Sequence, residues 1–227
     1  MRFIAFVFVL LLPLSVQSAD ALLVPLFTPK PVYPPALIRS RYTGKVRVQL
    51  VVSSGGNVQD VRAIESGHPQ LTEAAVGALA QWRYRPWAGT VGAPPQISIM
   101  IPVIFGSHGN SHFNQEVDVG LSNIRCAYLN NEVDTQNRDF PEEPLNKVDV
   151  FWYTGQFLFS SYAALLRSED ERKLLLEQLG RLVPEIVKSC RLNPEHRYGD
   201  YLPVSIKSLL SGLAQSDDVP GALQGAL

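Results

Sequence analysis

Residues 69–86 read PQLTEAAVGALAQWRYRP, and residues 96–105 read QISIMIPVIF. In the first stretch the apolar side chains recur with a helical period and share one face: Leu71, Ala74, Ala75, Ala78, Leu79 and Trp82. In the second stretch the apolar side chains alternate, as in a strand with one buried face: Ile97, Ile99, Ile101, Val103 and Phe105. The sequence therefore predicts a helix that begins near Pro69 and ends before Pro86, followed by a strand.

A β-hairpin is predicted upstream of this helix. Apolar and polar residues alternate over residues 45–52 (KVRVQLVV), so one face of this strand is buried and the other faces water. Residues 53–57 (SSGGN) have turn chemistry, and residues 58–64 form the return strand. The apolar phase of that strand slips between Val58 and Val61, which predicts a bulge. Prolines exclude a regular helix or a central strand before residue 36, and residues 36–42 are predicted as a short helix.

The order helix, strand, strand, helix, strand indicates an α+β domain. A hairpin followed by a helical crossover returns the last strand beside the first, so the domain is predicted as two helices on a three-stranded antiparallel sheet. The last strand, residues 96–105, is then an edge of the sheet. Pro102 agrees with that placement because proline lacks the N–H group that a central strand would use.

These residues resemble the C-terminal domain of the TonB family over residues 31–105, nearly the whole length of that domain. The shared features follow one another in the order of the family and include seven structural motif positions: Tyr33, Pro34, Gly44, Trp82, Arg83, Tyr84 and Pro86. Further matching pieces are the glycines of the hairpin turn, the alanines of the long helix and the segment IPVIF at residues 101–105.

The resemblance implies a periplasmic protein-binding module without a cofactor. In that family the domain pairs the extended TonB-box peptide of outer-membrane receptors with its edge strand, where main-chain hydrogen bonds give affinity and alternate side chains give selectivity. The predicted partner-binding residues are Gln96, Ile97, Ser98, Ile99, Met100, Ile101, Val103 and Phe105. Two functions stay open: an accessory of receptor transport, or a soluble periplasmic structural or interaction protein without energy transduction. In the second case a partner, the chain's own second region or a second copy covers the edge.

The first residues are typical of a secretory signal peptide. Arg2 precedes an apolar run at residues 3–14, and small residues follow, so residues 1–21 are predicted to be cleaved in export to the periplasm. The alternative is an uncleaved signal that anchors the protein in the inner membrane. Compared with a full-length TonB, the chain interpreted in this way lacks a convincing anchor and a long proline-rich spacer. It also carries about 120 residues beyond the TonB-like domain.

The chain is predicted to consist of a TonB-like domain at residues 22–106, a polar linker at 107–115, a helical domain at 116–213 and a flexible tail at 214–227. Residues 22–106 carry eight basic and three acidic residues, whereas residues 107–227 carry eleven basic and seventeen acidic residues. The net charges of +5 and −6 predict that the two parts attract each other.

The helical region has its own signals. Residues 117–132 have a mainly helical rhythm, and residues 134–146 are polar, broken by prolines and predicted as a loop. Residues 148–166 are rich in aromatic side chains and are interpreted as a buried helix. Ser168 and Glu171 form a capping box ahead of a long helix. Cys126 and Cys190, the two cysteines of an exported chain, predict one disulfide, with two buried free thiols as the alternative.

The sequence contains no motif for catalysis, phosphate binding or metal binding. No G-x-S-x-G segment and no glycine-rich phosphate loop occurs. His108 and His112 lie in the polar linker without a nearby third ligand, so we interpret them as solvated residues. The basic part lacks the charge density expected of a nucleic-acid site. We therefore predict a non-enzymatic protein with a protein partner, no small-molecule substrate, and a capacity for self-association through the edge strand.

Overall fold

The structure is a computed structural model that describes residues 22–89, 92–109 and 112–211. The predicted signal peptide and the flexible tail lie outside these residues. The strands are β1 Pro25–Phe27, β2 Gly44–Ser53, β3 Val58–Ser66, β4 Arg83–Tyr84, β5 Gln96–Gly109 and β6 His112–Val119. The helices are α1 Pro69–Leu79, α2 Cys126–Asp139, α3 Asp149–Leu158, α4 Ser161–Leu166, α5 Glu169–Leu192 and α6 Val204–Ser211.

The main sheet is antiparallel and has the strand order β3-β2-β5-β6. The last strand of the TonB-like region pairs with the first, from Gly44 opposite Phe105 to Ser53 opposite Gln96, as the topology predicted. The predicted bulge is present, because Val51 lies opposite Asp60 whereas Val52 lies opposite Val58. The α+β class and the TonB-like arrangement of sheet and helix are thus confirmed.

The sheet has four strands and not three. The predicted linker at residues 107–115 is wrong, because β5 continues to Gly109 and β6 returns along it from His112 to Val119. Residues 117–119 are therefore strand and not helix. Backbone hydrogen bonds extend this hairpin through a polar segment that has little apolar alternation.

Helical segments cover both faces of the sheet. Helix α1 begins at Pro69 and packs on β2 and β3, with His68 as its cap. The 3₁₀ turn Pro35–Leu37 replaces the predicted helix at 36–42, and Arg41 ends that segment with a φ of 50°. On the other face α2 packs on β5, and both parts of the chain share one hydrophobic core.

The helical region confirms most of its sequence signals. The capping box is formed, since Ser168 N donates to Glu171 Oε2 at 2.8 Å and Glu171 N donates to Ser168 Oγ at 3.3 Å. The aromatic segment forms α3 and α4, two helices separated by one turn. The predicted loop at 134–146 is partly wrong, because α2 runs to Asp139; its buried residues Leu129 and Val133 lie one helical turn apart and are sufficient to anchor it.

Candidate functional site

The predicted binding strand is an edge over only part of its length. On the side away from β2, Val103 lies opposite Val119 and Phe105 lies opposite Val117, so β6 already occupies this half of β5. The prediction of Val103 and Phe105 as edge residues was therefore wrong. Only residues 96–102 lack a neighbouring strand on this side among the described residues, and we call them the open edge.

The side chains of the open edge alternate between the two faces of the sheet. Those facing the core under α1 are buried: Ile97, Ile99 and Ile101. Gln96, Ser98 and Met100 face the opposite side, where Met100 is 43% exposed and Ser98 accepts a hydrogen bond from Gln49 Nε2 at 3.1 Å. The core-facing residues are therefore structural, and the other three are available for contact.

The open edge presents unpaired backbone groups. Gly120 N donates to the Pro102 carbonyl at 2.8 Å, so the polar groups of Pro102 point away from β2. Because alternate residues of an antiparallel strand point their N–H and C=O groups to the same side, those of Ser98 and Met100 also point away from β2. No backbone partner is found for these two residues on that side within the described part of the chain. An unpaired strand segment of this kind is a template for another extended chain.

A groove of about 380 Å³ lies beside the open edge, on the sheet face away from α1. Its sheet side is formed by residues of β2 and β5: Arg47, Ser98, Ile99, Met100 and Pro102. Its other wall comes from the region after β6: Leu121, Trp152, Tyr153, Gln156, Phe157 and Ser160. The groove therefore joins the TonB-like region to the helical region, and neither part forms it alone.

Helix α4 also lies alongside β5. Its Ala163 is fully buried and its Tyr162 is 1% exposed, so this short helix packs inward rather than standing free. No hydrogen bond between α4 and the backbone of the open edge is found among the described residues. The edge is thus flanked by a helix but is not paired with one.

Charged groups fix the helical region to the polar face of the sheet. Lys45 forms an ion pair with Asp149, at the start of α3. The Arg47 guanidinium lies 4.5 Å from the centre of the Tyr153 ring, and Arg47 Nη1 is 3.6 Å from Glu65 Oε2. The polar face of β2 is predicted to face water, which is wrong at Lys45 and Arg47 because Asp149 and Tyr153 of α3 contact them. The Lys45–Asp149 pair agrees with the predicted attraction between the two parts.

A second group of titratable residues lies where α2 packs on β5, beside the start of β2. Tyr128 and Glu132, one turn apart on α2, border a cavity together with Lys45 and Asp149. Burial raises the pKa of the Glu132 carboxyl, and the negative charge of Asp149 raises it further. Burial also raises the pKa of the Tyr128 hydroxyl, and the neighbouring Glu132 carboxylate adds to this shift. This cluster packs the two regions together, and no group of three metal-ligating residues occurs in the described ranges.

The structural motif residues hold the hairpin turn and the N-terminal segment against the core. Tyr84 N donates to the Gly56 carbonyl at 2.8 Å, and a Cβ on Gly56 would lie 2.0 Å from the Tyr84 carbonyl oxygen. Trp82 is fully buried and its indole N–H donates to the Pro29 carbonyl at 3.0 Å. Gly44 leaves no room for a side chain, because a Cβ there would lie 2.7 Å from Leu71 Cδ1.

The remaining motif residues also have structural roles. Tyr33 is buried and its hydroxyl donates to the Tyr42 carbonyl, whereas Pro34 caps the 3₁₀ turn that follows it. Arg83 forms an isolated bridge with Asn57 at the hairpin turn. Pro86 follows β4 and ends the motif. None of these side chains lines the groove.

The predicted disulfide is present between Cys126 and Cys190. It joins the start of α2 to the end of α5, and both cysteines are fully buried. The bond lies away from the groove, but it ties α2 to α5, the helix on which α3 packs. It therefore stabilises the layer that supplies the outer wall of the groove.

The α3 residues of the groove were not identified from the sequence. The aromatic side chains at 148–166 were interpreted as core, which is right for Phe151 and Phe157. Trp152, by contrast, is 44% exposed and lies one helical turn before Gln156, on the α3 face that lines the groove. That i, i+4 pair of an aromatic and a polar residue was the available signal.

The described chain thus contains an antiparallel α+β domain with a partly open edge strand. Residues 29–106 match the family of the Gram-negative bacterial TonB protein C-terminal domain. This family is a protein-interaction module associated with TonB-dependent transport and not an enzyme family, and it faces the Gram-negative periplasm.

Comparison with known proteins adds two further findings. The solution NMR structure of the Pseudomonas aeruginosa TonB CTD is similar to this chain with 29% sequence identity. The similarity covers 34% of this chain and 79% of that chain, with a TM-score of 0.28. No curated protein matches. No helix in residues 22–89, 92–109 and 112–211 has the length and apolar character needed to cross a membrane.

Proposed function

We propose that this protein is a periplasmic interaction module that binds an extended segment of a partner protein as an added strand on the open edge. The observation that carries the proposal is the unpaired backbone of Ser98 and Met100 beside a groove. Pairing of this kind uses main-chain hydrogen bonds for affinity and is independent of most side chains. The TonB family supports the proposal, and its partners suggest an outer-membrane receptor segment as the first candidate.

The added segment is short, because two features of the structure limit it. At one end the Pro102 carbonyl is already bonded to Gly120 N, so pairing stops before this residue. Beside the strand, α4 occupies part of the space, and an added strand needs about 4.8 Å next to β5. We therefore propose that binding pairs with Ser98 and Met100 and moves α4 outward.

A second function is favoured because other parts of the same chain already cover β5. Strand β6 pairs with half of β5, and α4 flanks the rest. In this alternative α4 stays in place, and the protein is a soluble interaction or structural protein that uses the TonB-like fold without energy transduction. Its partners then bind elsewhere on the surface.

Site-specific photocrosslinking in living Gram-negative cells separates the two functions. A photoreactive amino acid replaces Ser98 at the open edge, and the matched control carries it at Arg62, an exposed residue of the opposite edge strand β3. We expect a receptor segment to be captured at Ser98 and not at Arg62. Capture at Ser98 of only residues of α4 supports the covered edge and contradicts strand addition. Equal capture of the receptor at both positions also contradicts the proposal.

A further inference from the structure

Two large apolar side chains are exposed on opposite walls of the groove. Met100 of the open edge is 43% exposed and Trp152 of α3 is 44% exposed. The buried side chains of Leu121 and Phe157 complete an apolar surface between them. Single exposed apolar residues are common, but two that share a groove indicate a binding surface. Methionine is common at adaptable binding surfaces, and tryptophan is enriched among the residues that contribute most to binding energy.

From this arrangement we infer that the groove selects a bulky apolar side chain, such as leucine, methionine or phenylalanine, in the segment that pairs with the open edge. The inference rests on the proposed function. In an added strand every second side chain lies on the same face as Ser98 and Met100. That face holds the groove, so one residue of the segment faces Trp152. A volume of about 380 Å³ lies at the small end of ligand pockets and suits one or two side chains.

The charges around the groove define the neighbouring residues of the segment. Arg47 is the one charged residue that lines it within the described part of the chain, and Lys147 Nζ lies 5.0 Å from the centre of the Trp152 ring. The Glu65 carboxylate offsets part of the positive charge of Arg47, since its Oε2 lies 3.6 Å from Arg47 Nη1. A basic side chain on the groove-facing side therefore meets repulsion, whereas an acidic neighbour of the apolar residue is favoured. The occupant is an extended segment with a bulky apolar residue and acidic or neutral flanks.

A randomised library of seven-residue peptides, displayed on phage and selected on the purified protein, tests this inference. We expect enrichment of peptides with one bulky apolar residue, few basic residues and extended character. An enriched peptide is then labelled and compared with its own versions in which that apolar residue is alanine or lysine. Fluorescence anisotropy should show about tenfold weaker binding for alanine and a larger loss for lysine.

Variants of the protein assign the effect to the groove. Trp152→Ala should weaken binding of the enriched peptide about tenfold and remove most of the difference from its alanine version. The matched control is Phe159→Ala, since Phe159 is 47% exposed, follows α3 directly and does not line the groove. We expect this control to bind like the unchanged protein.

Ser98→Pro separates the inference from the proposed function, because proline removes an unpaired backbone donor of the open edge but leaves the apolar side chains Met100 and Trp152 in place. If Ser98→Pro abolishes binding while the unchanged protein binds the leucine and alanine peptides equally, strand addition stands and the apolar selection is overturned. If Ser98→Pro has no effect, strand addition is overturned, and so is an inference that depends on it. An empty selection overturns both.

Discussion

The two edge strands of the TonB-like region differ in the features that permit or prevent pairing with another extended chain. Strand β3, at one edge of the sheet, has two bulges, at Gln59 and Ile64, where its register with β2 shifts. It also carries an exposed ion pair, with Arg62 Nε 2.7 Å from Asp60 Oδ2. Bulges and charges are the features by which proteins protect edge strands from unwanted pairing. The open edge at residues 96–102 has neither, since it keeps a regular register with β2 and contains no charged residue.

This difference favours the open edge as the strand that accepts a chain in the proposed function. Both edges have free backbone groups, so exposure alone does not distinguish them. The protected edge discourages any extended partner, whereas the open edge has a groove and an adjacent helix that restrict access. In the proposed function the helical region controls access to the open edge, whereas β3 is protected by its own residues.

Removal of the disulfide is expected to have the largest effect on the unfolding free energy. It should act on the helical region beside the open edge and not on the β3 edge. The Cys126→Ala/Cys190→Ala variant loses a bond that closes a loop with a sequence separation of 64 residues, which corresponds to about 4 kcal/mol of unfolding free energy. Urea denaturation measures this loss, with the chemically reduced protein as a control. Hydrogen exchange should rise first in α2, α3 and α5, and not in the hairpin of β2 and β3.

An equal rise of exchange in both regions would contradict the assignment of the disulfide to the groove wall. It would mean that the helical layer and the hairpin open as one cooperative unit. In that case the helical region does not act as a separate cover of the open edge, and binding there requires another mechanism than outward movement of α4.

The TonB-like region was predictable because its signals are local. Alternation over residues 45–52 and 96–105 fixed two strands and their buried faces, and a phase slip located the bulge after Val58. Strand β6 was missed because its N-terminal half is polar and pairs through backbone groups, which leave no side-chain pattern. The extent of α2 was missed because one narrow apolar stripe anchors a helix whose last residues are polar.

The groove could not be predicted from the sequence because it depends on tertiary packing. The sequence pattern does not distinguish the aromatic residues of α3 from one another. Only tertiary packing decides that Phe151 is buried, with its ring centre 5.7 Å from that of Tyr198, while Trp152 is exposed. The half of β5 that remains open depends on where β6 ends, which no local pattern specifies. Sites built between two regions need the tertiary contacts that join them.

A change at Glu132 tests how firmly the helical layer holds to the sheet, and its expected effect is smaller. Because burial raises the pKa of this carboxyl in the folded protein, the folded state binds the proton more strongly than the unfolded state. Glu132 therefore costs stability as the pH rises from the ordinary carboxyl range through the raised pKa. Glu132→Gln should increase the unfolding free energy at neutral pH by up to about 1 kcal/mol.

Urea denaturation of both proteins across the pH range measures this effect. The difference should vanish as the pH falls below the ordinary range of a glutamate, where both side chains are neutral. Glu177→Gln, the same substitution at an exposed position of α5, is the matched control for the chemical change itself. A stabilisation by Glu132→Gln that stays constant from acid to neutral pH would contradict a cost of ionisation at this position.

The smallest effect on stability is expected from the change that removes the charge contrast between the two edges. In the Asp60→Thr/Arg62→Thr variant, threonine keeps the strand propensity of β3 but deletes its exposed ion pair. Exposed ion pairs contribute little, so the unfolding free energy should stay within about 0.5 kcal/mol of the unchanged protein.

The edge should then self-associate weakly, which sedimentation velocity at protein concentrations of about 100 μM detects as a shift toward dimer. The same two threonines placed at Gln96 and Ser98, which carry no charge, are the control and should not change the oligomeric state. A variant that sediments like the unchanged protein would show that the bulges at Gln59 and Ile64 protect this edge by themselves, and the contrast with the open edge would then rest on register and not on charge.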